Sequence, residues 1–139
     1  MANPRYEHYW QTEILTADPV KLVNLLYRGA IEAVGAARLH LQHGAIRERS
    51  RQITKASEII NELMRSLNHR QGGEIRRTLG GLYAYMQNRL IEANSRQIEA
   101  PLVEVERLLT TLIEAWSAIP APAPLPMDMA EPVGDSASW

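Results

Sequence analysis

Apolar side chains recur at three- and four-residue intervals in four separate stretches of this chain, and nowhere do they alternate with polar ones. A helix needs that period to present one continuous apolar face, whereas a half-buried strand needs a period of two. The first stripe runs through Leu22, Val23, Leu26, Tyr27, Ala30, Ala33, Val34, Ala37 and Leu41. The second comprises Ile53, Ala56, Ile59, Ile60, Leu63, Met64 and Leu67. The third is Ile75, Leu79, Leu82, Tyr83, Met86, Leu90 and Ala93. The fourth is Leu102, Val105, Leu108, Leu109, Leu112, Ile113 and Trp116.

The punctuation between the stripes agrees with helices. Asp18 can cap free backbone N–H groups, and Pro19 suits the first helical position, where its missing N–H costs nothing. Gly44 is the expected stop of a first helix of about 24 residues, roughly 36 Å long. A second helix is expected from Ala45 to Leu67. The stretch Asn68 to Gln71, followed by Gly72-Gly73, breaks the pattern and reads as a turn. A third begins near Glu74 and stops at Asn94. Gly80-Gly81 lies inside it, which suggests close approach of another backbone, or a kink. Pro101 marks a fourth start, and the helix ends near Ala118, before Pro120.

Four long amphipathic helices with short connections predict an all-α, antiparallel four-helix bundle over residues 18–118. The chain's 139 residues suit one such domain. Residues 119–139 carry Pro120, Pro122, Pro124, Pro126 and Pro132 and few large apolar groups, and are expected to be a disordered tail. Residues 1–17 differ again. Tyr6, Tyr9, Trp10, Ile14 and Leu15 are too apolar for a solvated arm, but Pro4 and the short stripe argue against a full core helix. This additional segment, or short helix, is expected to lie reversibly on the bundle.

Composition excludes several kinds of chemistry. With no Cys, the chain has no disulfide, Cys-ligated zinc or thiol nucleophile. A formal net charge of -1 gives no global field to attract a polyanion, so no nucleic acid is expected as a partner. No run approaches the ~18 apolar residues that cross a bilayer, so no membrane insertion is expected. The opening ten residues lack the basic-then-apolar order of a secretory signal, and a cytoplasmic location is expected.

No catalytic constellation emerges. His40 and His43 are three apart, but the chain has no Glu-x-x-His unit to complete a bundle metal site, and they read as surface histidines near a helix C-terminus. Glu104 and Glu106 are two apart on a helix and diverge, so they read as a solvated face rather than an acid/base pair. Gly72-Gly73 lacks the Lys and Ser/Thr of a phosphate loop. Arg47, Arg49, Arg51, Lys55, Arg65, Arg70, Arg76 and Arg77 are interleaved with Glu48, Glu58, Glu62 and Glu74, and also read as a solvated face. The expectation is a protein that is not an enzyme and carries no metal or cofactor.

The apolar residues that leave the stripes are more informative. Leu25 and Leu39 fall well off the first, with Val20 and Ile31 at its edge. Tyr85 and Ile91 leave the third, and Val103 leaves the fourth. Two readings stand side by side. One is a broad core stripe with ordinary scattered exposure. The other is an outer groove for a partner's amphipathic helix, with Tyr6, Tyr9 and Trp10 as a displaceable cover.

Thr16-Ala17-Asp18-Pro19 with Leu26-Tyr27-Arg28-Gly29-Ala30-Ile31 resembles the first helix of the FliS family of flagellin export chaperones. Gly72-Gly73-Glu74-Ile75, Leu82-Tyr83-Ala84-Tyr85-Met86 and Arg89-Leu90-Ile91-Glu92-Ala93-Asn94 are similar to that family's third helix. Glu104-Val105 with Leu108-Leu109 and Ala115-Trp116 is similar to its last. The resemblance covers roughly residues 9–117. It implies a cytoplasmic chaperone that binds the C-terminal segment of flagellin, blocks early polymerisation and works with a component of the flagellar export gate. A general helical interaction module, or a chaperone for another secreted substrate, would use the same grooves. Neither reading fixes an oligomeric state.

Overall fold

A computed structural model describes residues 19–70 and 72–118. The expectations for residues 1–17, for the tail 119–139 and for the cap at Asp18 lie outside these described residues.

Among the described residues there are four helices: α1 Pro19–Gln42, α2 Ile46–Arg70, α3 Gly73–Arg96 and α4 Ala100–Ala118. Each packs along the next, and α4 returns against α1. Arg49 near the start of α2 reaches Asn94 near the end of α3, and Arg38 late in α1 reaches Glu99 just before α4. Neighbouring helices therefore run antiparallel, as expected of an all-α four-helix bundle. The core is a closed set drawn from all four stripes, with Leu26, Tyr27, Val34, Ile60, Leu63, Met86, Leu90, Leu102 and Leu109 all fully or almost fully buried. Burial of each large apolar side chain contributes about 1.5–3 kcal/mol, and this is the main force holding the helices side by side.

The first break has a clear backbone cause. Gly44 takes φ +70, a left-handed conformation that side chains disfavour. Its N–H donates to the Leu41 carbonyl at 3.2 Å, and the Ala45 N–H donates to the His40 carbonyl at 2.9 Å. This paired closure satisfies the last carbonyls of α1 and turns the chain toward α2.

The second break is shorter than expected. Helix α2 continues through Asn68 to Arg70, so the turn begins only after it. The apolar stripe ends at Leu67, but polar residues without Pro or Gly do not end a helix. The chain turns where Gly72 becomes extended and Gly73 adopts φ +61. Helix α3 likewise runs past Asn94 to Arg96, and Gln97 caps it in the left-handed region, its N–H donating to the Ala93 carbonyl.

Two further expectations are corrected. Ile75 lies on the apolar stripe but is 54% exposed, because residues 72–78 are all exposed and this part of α3 stands clear of the core. Gly80-Gly81 does not mark close backbone approach. A Cβ at Gly81 would meet nothing within 4 Å, and one at Gly80 would make an ordinary 3.7 Å contact with Met64 Sδ.

Candidate functional site

The off-stripe residues divide by exposure. Ile91 is 65% exposed, Leu39 52% and Tyr85 43%, while Leu25 and Val103 are half-buried. Tyr6, Tyr9 and Trp10 lie outside the described residues. The exposed residues do not form one patch. Ile91 lines a solvent-open groove of about 310 Å³ between α2 and α3, beside Ile53, Ser57, Gln87, Leu90 and Asn94. Tyr85 is on the other flank of α3, six residues and about 120° away by helix geometry. Leu25 and Leu39 share a face of α1 but are about 21 Å apart along its axis. Ile46, also exposed, was not singled out by the periodicity; it stands at the first position of α2, before the second stripe begins.

The α2–α3 groove has an apolar floor and polar walls. Ser57 donates to Gln87 Oε1 at 2.6 Å, and the Gln87 amide donates back to the Ser57 carbonyl and to Asn61 Oδ1, each at 3.0 Å. These bonds fix the walls, while Ile91 projects without burial. Such a trough suits an amphipathic helix or extended segment better than a small molecule.

Tyr85 is anchored on the α3–α4 seam. Its hydroxyl donates to Glu104 at 2.7 Å, and Arg89 reaches the same carboxylate at 2.6 Å. Both bonds stabilise the charged form, so Glu104 is held below its ordinary pKa, and the Tyr85 hydroxyl beside it is pushed up. Glu106 points the other way and accepts from Arg38 of α1 at 2.6 Å. The two carboxylates diverge as expected. They are not a solvated face, however, because each is half-buried and clamps α4 to a different neighbour.

The polar end of the bundle continues this network. Arg38 also donates to Glu99 at 3.0 Å, as does Gln42, and both bonds hold Glu99 below its ordinary pKa. Arg49 departs from the expected solvated face, with only 4% of its surface exposed. It donates to Asn94 Oδ1 at 3.1 Å, with longer approaches of 3.5 Å to Gln97 Oε1 and the Asn94 carbonyl. The Arg49 cation sits at the C-terminus of α3, where unpaired carbonyls and the helix dipole favour positive charge. Arg65 pairs with Glu62 and Arg77 with Glu74 within their own helices, and Arg76 of α3 donates to the Asn68 carbonyl of α2.

The opposite end is aromatic. The Tyr27 and Tyr83 hydroxyls are 2.6 Å apart, and Trp116 Nε1 donates to Tyr27 Oη at 3.3 Å. Burial pushes both tyrosine pKa values up. Beside this triad is a shallow dimple of about 30 Å³ lined by Val23, Leu63, Ser66, Leu67, Leu79, Tyr83 and Trp116. Among the described residues, no three His, Cys, Asp or Glu side chains gather as a metal site, and no helix is long and apolar enough to cross a membrane.

Comparison with known proteins places the chain in a family. A family model described as flagellar protein FliS matches residues 1–123. A flagellar secretion chaperone FliS from Salmonella typhimurium is 38% identical over 110 residues, covering 78% of this chain and 82% of that one. One from Bacillus subtilis is 32% identical over 114 residues, covering 82% and 84%. A flagellar secretion chaperone FliSB from Pseudomonas aeruginosa is 35% identical over 109 residues, covering 78% and 86%.

Proposed function

Since this chain belongs to the FliS family, we propose that it is a cytoplasmic export chaperone for flagellin, without enzymatic activity. It binds the C-terminal segment of newly made flagellin, stops premature polymerisation and assists delivery to the flagellar type III export apparatus. The observation that carries this reading is Ile91, a large apolar side chain left 65% exposed in a polar-walled groove outside an already closed core. Such a position contributes little to folding, but it offers apolar surface to a second chain.

The separation of Ile91, Tyr85, Leu39, Leu25 and Val103 favours a ligand that wraps the bundle over one that enters a single pocket. Several shallow sites bury a long segment yet let it peel away stepwise, as a cargo carrier requires. Burial must exceed the ordering cost of an unfolded segment, about 2–5 kcal/mol of the gross interaction energy. Tyr6, Tyr9 and Trp10 act as the cover, occupying outer apolar surface until flagellin displaces them. Titration calorimetry with the C-terminal segment of flagellin tests the proposal: saturable binding at micromolar concentration is expected, and its absence would reject it. Hydrogen exchange tests the cover. Protection at residues 5–15 should fall when flagellin binds.

A further inference from the structure

The aromatic end of the bundle has a surplus hydrogen-bond donor. Trp116 Nε1 donates to Tyr27 Oη, and one hydrogen bond joins Tyr27 to Tyr83. An indole N–H and two phenol O–H groups supply three donor hydrogens, but these contacts use two. If Tyr27 donates to Tyr83, the Tyr83 hydrogen is left over. If Tyr83 donates, Tyr27 accepts twice and its own hydrogen is left over. Either way, one buried hydroxyl hydrogen has no acceptor in the triad, and Tyr83 lines the dimple that opens beside it.

We propose that the Pro-rich segment 119–126 folds back over this end of the bundle, seats a proline ring in the dimple and accepts the surplus hydroxyl hydrogen with a backbone carbonyl. The segment reads Ile119-Pro120-Ala121-Pro122-Ala123-Pro124-Leu125-Pro126. Proline has no N–H, so these eight residues bring eight carbonyls and only four N–H groups. The segment's surplus of acceptors complements the surplus hydrogen where Tyr27 donates and it is left on Tyr83, the hydroxyl that lines the dimple. A chain of this composition favours the polyproline II conformation, which makes no internal hydrogen bonds and loses little entropy on docking. Aromatic faces with a hydroxyl or indole donor are the kind of surface that recognises it. Here Tyr83 and Trp116 supply the aromatic side chains.

Reach supports this occupant. The segment leaves α4 two residues after Trp116, at the end where α1 begins, α2 finishes and α3 begins. Eight residues in polyproline II span about 25 Å. Neighbouring helix axes are about 8–10 Å apart, so the segment can cross the end of the bundle. The short connection also keeps the loop-closure cost small. Residues 1–17 precede α1, which begins at this end, and are the alternative occupant that the test must separate.

The chain has no Cys, so one introduced thiol can carry a nitroxide label without background. In the full chain, a label at Ala123→Cys should remove at least half the amide signal of Leu67 and Leu79, and leave Asn94 and Ser95 at the far end unaffected. A label at Ala2→Cys should spare Leu67 and Leu79. Signals untouched by the Ala123 label, or quenched only by the Ala2 label, would overturn the proposal. A second reading uses the full chain with Trp10→Phe and Trp139→Phe, in which Trp116 is the sole tryptophan. Replacing the four prolines at 120, 122, 124 and 126 by Ser should raise acrylamide quenching of Trp116 at least twofold. An unchanged quenching constant would equally sink it.

Discussion

The two ends of the bundle are closed by different chemistry. At one end, Arg38, Gln42, Arg49, Ser50, Asn94 and Glu99 tie together the termini of all four helices with charged and amide groups. At the other, Tyr27, Tyr83 and Trp116 meet across the core with a single chain of hydroxyl and indole contacts. The polar end provides acceptors and donors for helix termini that would otherwise be unpaired. The aromatic end relies on packed area and leaves a dimple and, within the triad, one hydrogen without an acceptor. A bundle finished tightly at one end and loosely at the other has an evident place to receive another segment of chain.

This contrast predicts where damage is greatest. Leu63 is almost fully buried and lines the dimple. Leu63→Ala should cost about 2–5 kcal/mol, read as a lower urea midpoint at unchanged slope. A loss below 1 kcal/mol would mean that the aromatic end collapses around the gap and is not a packed closure. Arg49→Met keeps the volume but removes the cation from the end of α3. It should cost about 1–3 kcal/mol, because Gln97 and the Asn94 carbonyl lose a charged donor. A neutral result would show that the polar end is closed without its one buried charge.

The sequence made one side of this comparison easier to read than the other. Stripes at helical spacing gave all four helices, and Gly44 showed where the first must end. The aromatic end was also within reach: Tyr27, Tyr83 and Trp116 lie on three different stripes at depths that an antiparallel bundle brings level, and buried hydroxyls need partners. The polar end was hidden. Arg49 sits in a charge-rich stretch that looks solvated, and only the ending of α3 beside it reveals its role. Asn94 looked like a helix stop because Asn often ends helices, but its side chain is used by Arg49 and Ser50 while the helix continues. Helix ends such as Arg70 and exposures such as Ile75 depend on where a neighbouring helix stops, which no local pattern records. Departure from periodicity picked out the exposed Leu39, Tyr85 and Ile91 but also the half-buried Leu25 and Val103, and their division among separate faces became clear only once the helices were placed.

A smaller effect sharpens the aromatic side. Tyr27 takes part in both triad contacts and Tyr83 in one. Tyr27→Phe leaves the Trp116 indole and the Tyr83 hydroxyl without their partner, whereas Tyr83→Phe leaves Tyr27 bonded to Trp116. Tyr27→Phe should therefore be the more destabilising by about 1 kcal/mol, in thermal or urea unfolding. Equal losses would show that the 3.3 Å indole contact contributes nothing, and that the end is held by area alone.

The smallest predicted effect separates the two ends by pH. Glu99 is held below its ordinary pKa first by Arg38 and then by Gln42, and Glu104 first by Tyr85 and then by Arg89. A carboxyl with a depressed folded-state pKa binds fewer protons when folded than when unfolded. Its contribution is therefore complete above the unfolded value, near 4.5, and is lost as pH falls through the folded value. These pairs are only half-buried and stay in reach of water, so the loss is modest and screened by salt. Glu99→Gln should lower Tm slightly at pH 7, and the gap to the unmodified chain should close as pH drops below 4. Tyr27→Phe should show no such closing, because the buried hydroxyls have raised pKa values and stay protonated throughout that range. If the Glu99→Gln gap persisted unchanged at pH 3, the ion pair with Arg38 would not be what holds the polar end, and the amide and buried-arginine contacts would have to account for it alone.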